Sequence, residues 1–513
     1  MELKTFLCSD KYQYTMGKSF VEAEMHKQTA IFNLYYRTAP EGNNWIVVSG
    51  INEVLQMVDE MGKYPASHYE KFLASSNLEL RHDGLTVEDY CKLLSELTFE
   101  GTIEALPEGT IAFPNTPIIK VTAPLLIAQL LETPMLCIMN DQIASATKAS
   151  RVTRATKKPI SSFGSRRAKG PWSAMMLDKA AYIAGCSNGS NTLSKIDMNV
   201  PCTGTMAHSY VTAFAAKYGN GPKAEYYAFK NYIETHRGES LIMLIDTYDT
   251  LKSGIKMAIK AFKDCGITND YPFFGVRLDS GDLAYLADEC RKELDKAGYT
   301  KCKIGATNGL DEYSIRELEL QTDNIDFYGV GDAIAVPKFN TGCVYKLVSL
   351  NETPVIKMSE DKIKITNPGN LYTLRLADFK TNKFIADVTC VYHDTTYNSL
   401  IKRDEIILTD QLDKTKQTKL EAKSYYAIIL QEVVMENDLF KLENIETAKA
   451  RYENQLSRFD KSQVRLSKPH LYKNNISDEL YNLKLELMHK IKDEMDDIDT
   501  IIQEINTKEG IVE

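Results

Sequence analysis

Between Ser240 and Gly266 the chain reads SLIMLIDTYDTLKSGIKMAIKAFKDCG. SLIMLID suits a buried strand, and TLKSGIKMAIKAFKDCG an amphipathic helix that ends at Gly266. Two more strand–helix pairs and a final strand follow. FFGVRL (273–278) is a strand, DLAYLADECRKELDKAG a helix ending at Gly298, and KCKIGAT (301–307) a strand. DEYSIRELELQ (311–321) then makes a helix and IDFYGVG (325–331) a further strand. Such a β-α-β-α-β-α-β series predicts a parallel sheet, either open and doubly wound or closed into a barrel. In both forms chemistry gathers where the strands end. Those ends read DTYDT (246–250), DSGD (279–282), TNGLD (307–311) and GVGDA (329–333). One small, polar, acidic loop is also what turns and helix caps need. Four on one face point to a site for a phosphorylated, hydroxylated ligand and a metal.

The 513 residues leave room for two or three structural units. Hydrophobic residues at 43% and charged residues at 26% describe an ordinary globular protein. A net charge of −9, from 61 basic and 70 acidic side chains, argues against a protein that neutralises nucleic-acid phosphates. The start MELKTFLCSDKYQ lacks a basic region followed by an apolar run, so no secretory signal is expected. APLLIAQLLETPMLCIM (123–139) carries Glu132, Pro124 and Pro134 and falls short of the ~20 apolar residues of a membrane span. The ten cysteines are scattered with no CxxC pair, which predicts neither disulfides nor a zinc site. A cytoplasmic protein with no nucleic-acid or membrane partner is expected.

Three consecutive domains are expected. Residues 1–134 mix helices with β-rich runs such as AIFNLYYR and GTIAFPNTPIIKVTAP, an α+β layer whose prolines suit edges and turns. Residues 135–350 hold the alternating region. Residues 351–513 begin as a lysine-rich β section and are expected to turn helical and charged from about Tyr425. There Leu480, Leu483, Leu487, Ile491, Met495, Ile498 and Ile502 form one apolar stripe, expected to rest on the protein itself or on a subunit partner.

Several residues are candidates for chemistry. CTGTMAHSYVTAF (202–214) sets His208, one of only eight histidines, between small residues and a helical pattern. A nucleophile, a base, a ligand and a structural imidazole all fit that position. Cys202 nearby reads as a small buried residue and not as a nucleophile. Asp279 and Asp282 suit ribose hydroxyls, a Mg²⁺-bearing diphosphate or positive charge on a sugar carbon, and equally suit helix capping. Gly329 and Gly331 either free backbone amides for a phosphate or relieve crowding at a strand end. In SSFGSRRAKGP (161–171) Arg166 and Arg167 stand near Phe163, a combination able to hold a planar anion or a phosphate. No GxxxxGK[ST] pattern occurs, so any ATP is held by another device.

In order, SDKYQYTM, IFNLYYRTAPEGNNWIVVSGINEVL, FEGTIEALPEGTIAFPNTPIIKVTAPLLIAQLLET, FGSRRAKGP, GTMAHSYVTAF, LIDTYDTLKSG, GVRLDSGDL, GVGDAIAV and GCVYKLV resemble the nicotinate phosphoribosyltransferase family over most of the chain to about Leu350. The resemblance implies the type II phosphoribosyltransferase architecture, an irregular α/β barrel with an N-terminal α/β domain and a C-terminal helical extension. It implies a homodimer with active sites near the interface, and conversion of nicotinate and phosphoribosyl diphosphate to nicotinate mononucleotide, assisted by ATP and Mg²⁺, in NAD salvage. His208 matches the histidine that ATP phosphorylates, which makes it a nucleophile and a phosphohistidine.

Other roles follow from the same resemblance. Tyr12, reaching from the other subunit, and Phe163 would sandwich the pyridine ring, and Arg166 would grip the nicotinate carboxylate or the product phosphate. Arg277 and Asp279 would line ring and ribose, Asp282 would orient the diphosphate or the sugar, and Thr205 would join the substrate contacts. Asn308, Gly309, Gly329 and Gly331 match loops for ribose and 5′-phosphate, and Arg37 would contact the diphosphate. The related nicotinamide enzymes have aspartate at the position of Asn191. An asparagine can donate to a carboxylate that an aspartate repels, which favours the acid over the amide. Asp332 stands where many relatives have threonine, and an acid there needs an arginine or a metal to neutralise it. The DTYDT loop resembles the phosphate loops of another phosphoribosyltransferase class only loosely, because its acids are not adjacent.

Overall fold

Five parallel strands carry the alternating region: β1 (Ile160–Ser162), β2 (Leu241–Leu244), β3 (Phe274–Leu278), β4 (Lys303–Thr307) and β5 (Phe327–Val330). They appear in a computed structural model that describes residues 4–40, 42–73, 84–409, 415 and 417–509. The order across the sheet is β1-β5-β4-β3-β2. Consecutive strands β2 to β5 are neighbours throughout, with no reversal of winding, which is barrel winding and not a doubly wound sheet. Beyond β1 the ladder continues through single parallel bridges, Ser161 to Asn188 and Gly189 to Cys202. The result is an irregular α/β barrel. All of β2 is buried, which explains why SLIMLID shows no alternation.

Helices follow the strands as their patterns predict: Ile255–Asp264 after β2, Leu283–Lys296 after β3 and Glu312–Gln321 after β4. The first is entered through a π-helical turn, Thr250–Gly254, whose first amides are capped by the Asp249 side chain. Gly266 (φ +69°) and Gly298 (φ +86°) take the left-handed conformation that ends their helices.

The chain forms two units and not three consecutive domains. One comprises Met1–Asp141, Thr341–Asn444 and Asn454–Glu513, and the other Gln142–Asn340 with Ile445–Glu453. The C-terminal segment does not stand alone, because its strand Glu432–Glu436 hydrogen-bonds Thr102–Ala105 and completes the N-terminal sheet. That sheet has seven strands and includes Cys343–Leu350, Thr29–Tyr36 and Ile119–Pro124 as neighbours.

The helical stretch expected from about Tyr425 begins later. Tyr425–Ile429 and Glu432–Glu436 are strands, and the first helix is Ile445–Arg458. YYAII and EVVME are rich in β-branched and aromatic residues, which outweighs the acids among them. Tyr425–Ile429 joins a four-stranded sheet with Leu371–Asp378, Phe384–Val391 and Lys473–Ile476. Its core includes Leu374, Leu376, Val388, Leu400 and Tyr425. Within this sheet Arg375 and Asp387, both buried, form a two-pronged ion pair at 2.9 and 2.7 Å. Arg375 also donates to the Ile111 carbonyl at 2.7 Å, and Tyr472 donates to Asp387 at 3.0 Å.

The apolar stripe near the C-terminus belongs to two helices, Asp478–Asp496 and Ile498–Glu509. Leu480 is buried, whereas Met495, Ile498 and Ile502 are exposed, so only the first part of the stripe meets its own unit. No helix among the described residues is long and apolar enough to cross a membrane.

Candidate active site

A cavity of 460 Å³ opens at the strand ends of the barrel. After β1 it is lined by Phe163, Ser165, Arg166 and Arg167, and the segment Thr203 to His208 forms another wall. β3 supplies Arg277 and Asp279, β4 leads to Thr307, Asn308 and Gly309, and β5 leads to Gly329, Gly331 and Asp332. Phe163, Arg166, Thr205, His208, Arg277, Asp279, Asn308, Gly309, Gly329 and Gly331 are thus brought together, as the motifs lead one to expect. Gly329 is needed there because a Cβ would lie 2.5 Å from the Phe163 ring and 2.7 Å from Thr307. Crowding is therefore reason enough for that glycine.

His208 is the first residue of the helix His208–Tyr218. Its ring stands at the positive end of the helix dipole, a favourable place to carry an anionic group. Nδ1 shares a hydrogen bond with the Thr247 hydroxyl at 3.1 Å. Nε2 lies 3.9 Å from Asp246 and 3.8 Å from Asp279. The Asp246 carboxylate is buried, and one oxygen accepts from the Asp279 amide at 3.1 Å and the Ser280 hydroxyl at 2.5 Å. Its other oxygen, on the His208 side, is buried without a hydrogen-bond partner. Asp246 and Thr247 both belong to the DTYDT loop.

Arg277 crosses the cavity floor. It donates to Thr307 at 3.1 Å, to Asp279 at 3.4 Å and to the Met206 carbonyl at 2.8 Å, which ties β3, β4 and the segment before His208 together. Burial lowers its pKa, with Asp279 and Asp246 opposing that effect. Its Nε is buried and unpartnered, leaving a donor for a ligand. Asp332 is neutralised as its chemistry requires, since Arg167 Nε lies 2.9 Å from its carboxylate.

Four candidates lie elsewhere. Asp282 caps the helix Leu283–Lys296 by accepting from the Tyr285 amide at 3.1 Å, and does not line the cavity. Asn191 caps Thr192–Met198 with its side-chain oxygen, and its neighbour Ser190 lines the wall instead. Tyr12, on the helix Lys11–Glu22, and Arg37 belong to the first unit. Cys202 is exposed and not buried, because it sits where the ladder ends in an isolated bridge; desolvation raises its thiol pKa, which does not suit a nucleophile.

Asp246, Thr247, Ser190 and Thr307 also belong to the site, and in the sequence their one signal is position at a strand end. Asp178 carries no such signal: its buried carboxylate accepts from Ser162 at 2.7 Å and from the Ser190 and Asn191 amides at 2.6 and 2.7 Å. A Cβ on Gly189 would lie 2.2 Å from that carboxylate. Gly189→Ala is therefore expected to cost about 1–3 kcal/mol in thermal or urea unfolding, as overpacking does, and to raise KM through displacement of Ser190.

A magnesium ion fits these residues in one way. Among the described residues no three His, Cys, Asp or Glu side chains converge to form a metal site. Mg²⁺ commonly uses one or two carboxylates, with water and substrate phosphates completing its shell. The unpartnered oxygen of Asp246 beside Asp279 supplies that donor set.

Comparisons with known proteins agree with the motifs. Residues 7–140 match the sequence model for the nicotinate phosphoribosyltransferase (NAPRTase) N-terminal domain, and residues 372–484 that for the nicotinate phosphoribosyltransferase C-terminal domain. A nicotinate phosphoribosyltransferase of Bacillus subtilis is 33% identical over 501 residues, covering 96% of each chain. One from Mus musculus is 32% identical over 418 residues, 72% of this chain and 76% of its own. The crystal structure of human nicotinic acid phosphoribosyltransferase superposes with a TM-score of 0.78 at 25% identity, covering 94% of this chain and 99% of that one. With this likeness along nearly the whole chain, the protein belongs to the nicotinate phosphoribosyltransferase family.

Proposed function

We propose that the protein is an ATP-assisted nicotinate phosphoribosyltransferase that makes nicotinate mononucleotide and diphosphate for NAD salvage. The observation that carries this reading is His208 at a helix N-terminus, its ring held by Thr247 and facing Asp246 and Asp279 in an arginine-lined cavity. In this reading the imidazole accepts the γ-phosphoryl group of ATP. The group adds about −1.5 to −2 charge if it behaves like other phosphorylated side chains. The helix dipole and Arg277 offset that charge, and Asp246 with Asp279 would hold Mg²⁺, which supplies positive charge for the phosphates.

Phe163 offers a face to the pyridine ring, and Arg166, Arg167 and Arg277 offer cationic donors to carboxylate and phosphates. The ring nitrogen, unprotonated near neutral pH, attacks C1 of the ribose as the C1–O bond to diphosphate breaks. Asp279 is placed to stabilise the positive charge that develops on the sugar. No general base is required. Tyr12 is exposed on its own helix, which suits a homodimer in which Tyr12 of the partner subunit closes the ring site. Ten free cysteines suit the reducing cytoplasm.

The purified protein is expected to form nicotinate mononucleotide from nicotinate, phosphoribosyl diphosphate and Mg²⁺, faster with ATP and with release of ADP, and to use nicotinamide poorly. Failure to form the mononucleotide from nicotinate under any condition would overturn the assignment. Asp332→Thr removes a negative charge from the cavity mouth and frees Arg167. The Arg167–Asp332 pair is solvent-exposed and weak, so KM for phosphoribosyl diphosphate is expected to fall only about threefold, read by initial rates.

A further inference from the structure

Glu225 lies on the helix Pro222–Thr235, fully buried, and takes no part in the chemistry described above. One of its oxygens accepts a hydrogen bond from the Ser253 hydroxyl. Its other oxygen is buried and without a hydrogen-bond partner, and the Tyr248 backbone and the Ser253 hydroxyl both favour the ionised form. Both lie at the DTYDT loop and the turn that follows it. Tyr248 follows Thr247 directly, and Ser253 sits in the π-helical turn Thr250–Gly254 whose start is capped by Asp249. Burial, together with the nearby Asp249 and Asp246 carboxylates, raises the pKa of Glu225. An acid kept in so unfavourable a place, and hydrogen-bonded to Ser253 in the turn that follows the loop, fixes that loop more firmly than an apolar residue can. The far side of the same loop presents the Thr247 hydroxyl at 3.1 Å and the unpartnered Asp246 oxygen at 3.9 Å to the His208 ring.

We propose that Glu225 is a positioning residue for His208: by holding Ser253 from behind, it sets where Thr247 and Asp246 meet the imidazole. The inference rests on the reading of His208 as phosphate acceptor. Glu225 touches no substrate, and its influence passes wholly through the loop. A small loop shift matters because a misplacement of about 1 Å can slow a reaction by about 100-fold.

The test measures the single-turnover rate at which the full-length protein acquires acid-labile phosphate on His208 from ATP. Wild type, Ser253→Ala, Glu225→Leu and Glu225→Gln are compared at a temperature where circular dichroism shows each to be folded. Glu225→Leu is expected to slow phosphorylation at least about tenfold, and Ser253→Ala several-fold in the same direction, each having lost loop hydrogen bonds. Glu225→Gln keeps an acceptor and is expected to recover to within about threefold of wild type. A residue that only supports the fold lowers the melting temperature without changing this rate in folded molecules. A folded Glu225→Leu or Ser253→Ala that phosphorylates at the wild-type rate therefore overturns the inference alone. If Glu225→Leu does not fold, Ser253→Ala, which removes a single hydroxyl, decides. Absence of phosphohistidine in the wild type overturns the underlying reading of His208, and the inference with it.

Discussion

Replacing His208 by alanine is expected to leave a protein whose mononucleotide synthesis no longer responds to ATP. In the wild type, rates with and without ATP should differ, and ADP should appear with product. In the variant the two rates converge, and ADP release falls to background. The size of the loss follows from what the phosphorylated ring would contribute. On the proposed reading, a fixed charge among Asp246, Asp279 and Arg277 would organise the phosphates in the cavity, and removing one such electrostatic element costs about 100-fold in turnover. A slow reaction is expected to survive, because on the proposed reading Phe163, the arginines and the loops after β4 and β5 would still hold both substrates. Coupled assays for ADP and product, run side by side, read both quantities. If ATP still accelerates His208→Ala, the imidazole is not the acceptor.

The second large effect is on stability. Asp387→Ala strands the Arg375 guanidinium inside the four-stranded sheet, where that side chain is only 1% exposed. Breaking a buried pair by removing one partner costs about 3–5 kcal/mol, since the remaining charge is left uncompensated. Calorimetry is expected to show the melting temperature reduced by about 10 °C. The double variant Arg375→Met with Asp387→Leu should regain most of that loss, because apolar side chains of similar size can replace such a pair at little cost. Failure of the double variant to recover would place the stabilisation in the bonds to Ile111 and Tyr472 and not in the charge pair itself.

Much of the barrel was legible because its signals are local. Apolar runs that end in polar loops, and helices that stop at Gly266 and Gly298, need no knowledge of distant residues. The same locality explains the misses. Whether Asp282 faces a ligand or a helix amide depends on where the next helix begins, and its cap to Tyr285 decides it. YYAII and EVVME read locally as part of a charged helical tail because their partners, Leu371–Asp378 and Thr102–Ala105, lie far away in sequence. Asp246 stands out little in the sequence beyond its place at a strand end, since its loop has no adjacent acids. Its importance lies in a buried orphan oxygen pointed toward His208, which only coordinates reveal. The histidine itself was open to four readings until the family motifs around it were taken together.

The second unit borrows Ile445–Glu453 from near the end of the chain. Ile445, Ala448 and Tyr452 of that stretch are buried, and the Tyr452 hydroxyl lies 2.7 Å from that of Ser150. During translation, the barrel strands all emerge before this stretch has been made. At about 5–20 residues per second, roughly ten seconds pass before its last piece leaves the ribosome. Until then a hydrophobic seam beside Tyr182 and Val200 stays open. The nascent enzyme is thus expected to depend on chaperones late in synthesis, and a stop codon placed before Ile445 should yield an insoluble product even though every strand of the barrel is present.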